Sequence, residues 1–546
     1  MKSCVKIAGL MCLVMLTCGC ACLRAQTEPV KEKRARSGED VTSLKTRLRE
    51  LIRQKAAEGV DVTKVEILQE RAAKMYERGD VAECARLLQE GIDRLDGGRG
   101  KEQTKSRPDT DNAVTPESVA LPVRSSQAVV VEFEPTDKRR SSSDVFCRQS
   151  VQAIAGKVNL RVGTDPIFVI ESGQETGTLQ AGNVTAASPF GISALGQPDE
   201  RLKALGALWV RHETGVKWDL IEQQRGNFDW SATDRTLNGF TGSGIHLMVN
   251  VSVFNRWDQG VMRGDPRRKS GNRMARDTAA YQAFLAKAVA RYRFVAAWQI
   301  ENEPNSPEYW NDTPENYVTL LRAAYSTIKQ ANPAALVVMG GASRELTRGE
   351  EFWSKVFGAL KKNPERCFDV FDCHWFHNMA NLADPFGAMV ANLQDARRRL
   401  DDAGLRDVPI WMTEVGAYSD QPSGYARYVP EKEQAGDLIK LHCLALVSGV
   451  QRVFWVRLTD WQSFGGAADG YFDHTGLARQ SKGREEEKLA FYAYGQLAGA
   501  LAGCDWANAR RMPLDGCTAV RFSKADDSSV YVLWRGGGPT GNVEQK

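Results

Sequence analysis

Val295-Ala296-Ala297-Trp298-Gln299-Ile300-Glu301-Asn302-Glu303-Pro304 is an apolar run that ends abruptly in acidic and amide residues. Helical spacing precedes it at 278–292 and follows it at 314–331, so the run reads as a strand between two helices. The same rhythm extends in both directions. Short apolar runs recur at Phe190-Gly191-Ile192, Ala207-Leu208-Trp209-Val210, Ile245-His246-Leu247-Met248-Val249, Ala335-Leu336-Val337-Val338, Val370-Phe371, Val408-Pro409-Ile410-Trp411-Met412 and Val453-Phe454-Trp455-Val456. With the opening run that makes eight, and a further helical stretch lies at 385–400. Strand and helix in alternation imply a parallel sheet. Eight units over residues 185–501 fit an α/β fold of the (β/α)8 barrel type, which needs about 250 residues plus insertions. A doubly wound open sheet is the rival, weakened because Gly191-Ile192-Ser193-Ala194 lacks the glycine spacing of a phosphate turn.

Outside the barrel the chain changes character. Residues 1–25 place Lys2 and Lys6 before the apolar run from Ile7 to Leu16, then small or thiol residues, the layout of a secretory signal. Export is expected. Two outcomes stay open: Leu16-Thr17-Cys18-Gly19-Cys20 resembles a degenerate lipoprotein box whose cysteine would carry a lipid anchor, and plain cleavage near Ala21 or Ala25 is the alternative. Residues 26–40 are charged and read as a tether. Residues 41–96 carry apolar residues at helical spacing (Leu44, Leu48, Ile52; Ile67, Leu68, Ala72; Cys84, Leu87, Leu88, Ile92), which predicts three short amphipathic helices acting as spacer or oligomerisation element. Residues 97–125 read as a linker, 126–172 as a β segment and 502–546 as another, and the two β segments are candidates for a shared sheet.

Composition narrows the function classes. The 546 residues carry 72 basic against 68 acidic side chains, a net charge of +4, which gives no sign of a nucleic-acid partner. Five of the twelve cysteines fall in the signal region. The other seven include Cys367 with Cys373 and Cys504 with Cys517 as candidate pairs, although buried free thiols are the simpler reading. Oligomeric state is not legible.

In a barrel the chemistry sits where strands end. Glu303 closes the fourth run and Glu414, in Trp411-Met412-Thr413-Glu414-Val415-Gly416, closes the seventh. Glycoside hydrolysis needs such a pair, one carboxylic acid to protonate the leaving oxygen and one carboxylate to attack or shield the anomeric carbon. Asn302-Glu303-Pro304 and Glu414, together with Trp209-Val210-Arg211, Trp218-Asp219-Leu220-Ile221-Glu222 and Gly226-Asn227-Phe228-Asp229-Trp230, resemble the retaining glycoside hydrolases of clan A, with the flavour of families 39 and 5. The resemblance implies Glu303 as acid/base, Glu414 as nucleophile, Asn302 as donor to the sugar 2-hydroxyl, and Arg211 as the cation orienting Glu414. It implies no cofactor.

The chain departs from that pattern in two places. Glu301 stands two residues before the acid and, on an extended strand, would point the same way as Glu303; it could perturb or replace the acid, and a buried partnership with Arg or Lys is the expectation. Asp372-Cys373-His374-Trp375-Phe376-His377 occupies the sixth run, where His374 is the candidate for positioning Glu414 or a sugar hydroxyl and His377 reads as a loop residue. A metal is not expected, because no third ligand stands at suitable spacing. Trp455 is the candidate floor beneath the reacting sugar. Trp257, Trp310, Tyr418 and Trp461 are candidates for outer subsites, with simple packing as the alternative. Asn250 and Asn255 could bond hydroxyls, and Glu345 is a weaker candidate.

The reading is an exported retaining glycoside hydrolase acting on a poly- or oligosaccharide. Its rivals are an inactive carbohydrate-binding barrel and a cell-envelope scaffold.

Overall fold

The computed structural model describes residues 41–57, 65, 68, 72, 81–96, 116–135, 142–171, 188–212, 214–260, 272–379, 382–422, 425, 427–460, 470–481 and 484–536. The signal, the tether and Trp461 lie outside the described residues. The chain forms two compact units, residues 1–101 and 102–546.

In the first unit, Val41–Ala57 and Val81–Asp96 are helices, and residues 65, 68 and 72 between them are helical and buried. Leu44, Leu48 and Ile52 form one buried stripe, Cys84, Leu87, Leu88 and Ile92 another, as helical period requires. Gly91 lets the two helices approach: a Cβ there would lie 2.9 Å from Leu48 Cδ2 and 3.2 Å from Val65 Cγ1.

The second unit contains the barrel. Its strands are β1 (Phe190–Leu195), β2 (Trp209–His212), β3 (His246–Ser252), β4 (Val295–Ile300), β5 (Leu336–Met339), β6 (Phe371–Phe376), β7 (Ile410–Gly416) and β8 (Val450–Trp455). Each of the eight apolar runs thus supplies one strand. Neighbours pair in parallel from β5 through β4, β3, β2, β1, β8 and β7 to β6. The bridges Val338 to Val370 and Ala342 to Cys373 close β5 onto β6, so the fold is a (β/α)8 barrel. The intervening helices start where the sequence supplies caps. Asp277, Thr313 and Asp384 each accept a backbone N–H of the following first turn, and Pro314 and Pro385 occupy positions where no donor is lost. No helix among the described residues is long and apolar enough to cross a membrane.

Both β segments join one six-stranded antiparallel sheet, in the order Arg510–Leu514, Cys517–Ser523, Ser529–Trp534, Ile167–Glu171, Gln127–Phe133, Phe146–Gln152. One face, with Val131, Phe168, Ile170, Val520, Val530 and Trp534, shares the barrel's hydrophobic core. The other face, with Val130, Val169, Ala519 and Leu533, is covered by an antiparallel pair, Glu117–Pro122 with Lys157–Val162. That first strand lies inside the expected 97–125 linker, which is corrected accordingly. Val119 and Leu121 alternate with exposed neighbours and bury against the sheet. All seven described cysteines are free thiols, Cys504 and Cys517 included.

Candidate active site

Side chains alternate across a strand, and here the alternation builds the site in layers. Trp209, Met248, Ala297, Val338, Val370, Trp411 and Phe454 form an apolar cluster in the barrel. Two residues further along the same strands, the inward positions are Arg211, Asn250, Gln299, Asp372 and Thr413, all buried. These polar groups satisfy one another. Arg211 Nε donates to Gln299 Oε1 at 2.9 Å, and Gln299 Nε2 donates to Asp372 Oδ2 at 2.6 Å. Asp372 also accepts from the Thr413 backbone N–H at 2.9 Å and from the Thr413 hydroxyl at 2.5 Å.

The carboxylates stand on this layer. Arg211 Nη1 donates to Glu414 Oε1 at 2.6 Å, and Nη2 donates to Asn302 Oδ1 at 2.7 Å. His374, fully buried, has Nδ1 2.8 Å from Glu303 Oε1 and 3.8 Å from Glu414 Oε1. A carboxylate oxygen of Glu303, a ring nitrogen of His374 and a carboxylate oxygen of Glu414 all lie within 4.8 Å of one another. Burial alone would push the His374 ring down, but the charges of Glu414 and Asp372, with hydrogen bonds to Asp372 and Glu303, outweigh it and take it up to about 10. Burial also opposes ionisation of Glu414, yet His374, Arg211 and Arg457 hold its carboxyl below the usual range.

The strand geometry assumed for Glu301 is not what the chain adopts. β4 ends at Ile300, and Glu301 and Glu303 both take positive φ, 62° and 38°, a conformation that side chains with a Cβ rarely adopt. The alternation therefore breaks between the two glutamates. Glu301 is buried with Oε1 accepting the Val253 N–H and Oε2 accepting the Asn272 amide, both at 2.6 Å. It braces the loops after β3 and β4.

Trp455 also departs from expectation. Phe454 points into the barrel, so Trp455 points out of it; the indole is fully buried, stacks on His442 and donates Nε1–H to the Thr475 carbonyl at 2.8 Å. It offers no face to a sugar. Trp310 and Tyr418 are likewise buried, donating to the carbonyls of Thr313 and Arg427. Trp257 is half-buried against Trp218, with its Nε1–H on the Glu222 carbonyl. Asn250 donates to the Glu301 carbonyl at 2.6 Å and accepts from Lys217 Nζ at 3.2 Å. Asn255 caps the short helix Arg256–Gln259, and Glu345 pairs with Arg348 at 2.8 Å. His377 lies in the turn after β6, a loop residue as expected, and is buried beside Phe386.

Sequence reasoning missed four groups. Asp372, Gln299 and Thr413 could have been found by stepping two residues along from the apolar runs. The fourth, Tyr309, is a partly exposed ring on the loop after Glu303, and its phenol is pushed up to about 12 by partial burial and by the charges of Glu303 and Glu414.

This geometry agrees with what the chain resembles. Residues 195–455 match the family model described as Cellulase (glycosyl hydrolase family 5). Among solved structures, a family 39 glycoside hydrolase from the gut symbiont Bacteroides cellulosilyticus WH2 superposes with a TM-score of 0.51 at 16% identity, covering 76% of this chain and 86% of that one. A family 39 β-xylosidase from Caulobacter crescentus matches at 17% identity and a TM-score of 0.43, covering 63% and 79%. A glucosidase from Croceicoccus marinus matches at 17% identity and 0.43, covering 65% and 75%. A search of curated proteins found no match. The chain is a glycoside hydrolase built on a barrel, and its substrate is a carbohydrate. Within that class it resembles the clan A enzymes of families 39 and 5.

Proposed function

We propose that the protein is an exported retaining glycosidase that cleaves poly- or oligosaccharides by double displacement. Glu303 protonates the glycosidic oxygen while Glu414 attacks the anomeric carbon; Glu303 then takes a proton from the water that hydrolyses the glycosyl ester. The observation that carries this reading is the approach of Glu303 and Glu414 oxygens to within 4.8 Å. Retaining enzymes hold their carboxyl groups about 5–5.5 Å apart, whereas inverting ones leave roughly 6.5–9.5 Å for a water. Arg211 supports the same division of labour, since a guanidinium on Glu414 favours the ionised nucleophile.

Proton NMR of the sugar first released from an aryl glycoside tests the mechanism: the substrate's anomeric configuration is expected, and the opposite anomer would overturn retention. Glu303→Ala should keep activity on substrates with good leaving groups and be rescued by azide. Absence of turnover across a panel of aryl glycosides and polysaccharides would favour an inactive binding barrel. The export reading rests on residues 1–25 and predicts that Cys18, Cys20 and Cys22, all changed to Ser, release a membrane-anchored protein. A wild-type protein found soluble would reject the lipid anchor.

A further inference from the structure

Asp372 bonds Gln299, Thr413 and His374 in the layer beneath both glutamates, and these bonds determine what His374 can do. The Thr413 hydroxyl gives its proton to Asp372 Oδ2 at 2.5 Å, so toward His374 Nε2, 3.2 Å away, it can only accept. Asp372 Oδ2, 3.3 Å from the same nitrogen, is a second acceptor. Nε2 therefore carries a hydrogen. A neutral ring would then present a lone pair at Nδ1 to Glu303 Oε1 at 2.8 Å, and two lone pairs at that distance repel. A proton must sit between them. Both Asp372 and His374 are fully buried, so no solvent competes for these bonds. The ring lies flush on Gly341, where a Cβ would come within 2.1 Å of Nε2.

We propose that Asp372 is a positioning residue that makes the Glu303–His374 pair hold one proton, and that this is the proton the glycosidic oxygen receives. The step rests on the two-glutamate reading above. The Glu303 proton passes to the leaving oxygen as the anomeric C–O bond breaks and the bond to Glu414 forms. Where the stored proton lies on Nδ1, that N–H bond breaks as Glu303 Oε1–H forms. In the second step water returns a proton to the pair as its oxygen bonds the anomeric carbon and the ester to Glu414 breaks. The charged and titratable groups that face this pair are Asp372 on its own strand, Glu414 on β7, Arg211 on β2, Arg457 beyond β8 and Tyr309 on the loop after β4. Of these, Asp372 is the one bonded on the side of the ring away from the substrate.

Asp372→Asn keeps the size and removes the charge. The basic limb of the kcat/KM profile should move down by about one pH unit or more. Turnover should fall about 100-fold on glycosides with poor leaving groups and only a few-fold on those with good ones. Thr413→Val should shift the limb the same way by less, and keeps the test open if the first variant fails to fold. Nitrogen NMR of the wild-type ring at pH 7 should show Nε2 protonated and Nδ1 protonated or strongly hydrogen-bonded, independently of any activity. A folded Asp372→Asn with an unmoved basic limb and an even loss on all substrates would overturn the proposal, as would a ring with a free Nδ1 lone pair. The NMR result stands even if Glu303→Ala shows no azide rescue, so the two readings fail separately.

Discussion

Arg211 and Arg452 both point into the barrel, near opposite ends, and they lead different lives. Arg211 bonds Gln299, Asn302 and Glu414, so its whole fork is spent on acceptors. Arg452 lies over the rings of Trp209 at 4.3 Å and Trp411 at 4.9 Å, and its Nε has no hydrogen-bond partner among the described residues. Burial lowers its guanidinium to about 10. A cation among acceptors organises ionisation around it, while a cation among indoles serves mainly as packing. The difference comes from the sequence two residues along each strand, where Trp209 gives way to Arg211 and Trp411 to Thr413.

The contrast can be broken most severely at the Arg211 end. Glu414→Ala should lower kcat by at least about 10⁴-fold on every substrate, with the melting curve showing a folded protein. Arg211→Met should cost about 10²–10³-fold in kcat/KM. Its pH dependence has a definite sign. Arg211 helps hold Glu414 below the ordinary carboxylate range, so removing it raises that pKa, and the acidic limb should move up, with a greater loss at pH 5 than at pH 7. Trp455→Ala sharpens the comparison from the outside of the barrel: a stability loss of about 3–5 kcal/mol in urea unfolding, with KM unchanged, is expected of a packed indole. A large rise in KM with little loss of stability would restore it to the sugar site. Arg452→Met should be the mildest, leaving activity unchanged and stability within about 1 kcal/mol by thermal melting.

The parts of this fold that announce themselves in the sequence are those governed by period. The eight apolar runs became eight strands, and the acidic residues closing the fourth and seventh meet over the same histidine. What escaped is governed by parity and by backbone departures. Trp455 stands one residue out of phase with the inward Phe454, so it occupies the outer face, although its place in the sequence matches that of the resemblance. The fourth strand ends at Ile300, before Glu301; nothing in Glu301-Asn302-Glu303 signals a left-handed turn, because neither glutamate is a residue that favours it. Asp372 sits two residues before His374 on the same strand face, and nothing in its type distinguishes it from an ordinary strand-end carboxylate. The strand Glu117–Pro122 was lost in a linker although Val119, Leu121 and Val123 alternate, since the polar tract before it masked the change of period.

The six-stranded sheet has a consequence for biosynthesis. Ile167–Glu171 pairs with Ser529–Trp534, and Tyr531 meets Glu171 across 360 positions of chain. At about 5–20 residues per second, the ribosome delivers the later strand on the order of 20–70 s after the earlier one. During that interval Phe168 and Ile170 have no Ser529–Trp534 strand beside them, and the nascent chain carries an unpaired hydrophobic edge of the kind that invites association with other chains. Messages cut short before residue 529 would leave that edge permanently open, so even a translated, intact set of barrel strands would yield an aggregation-prone product.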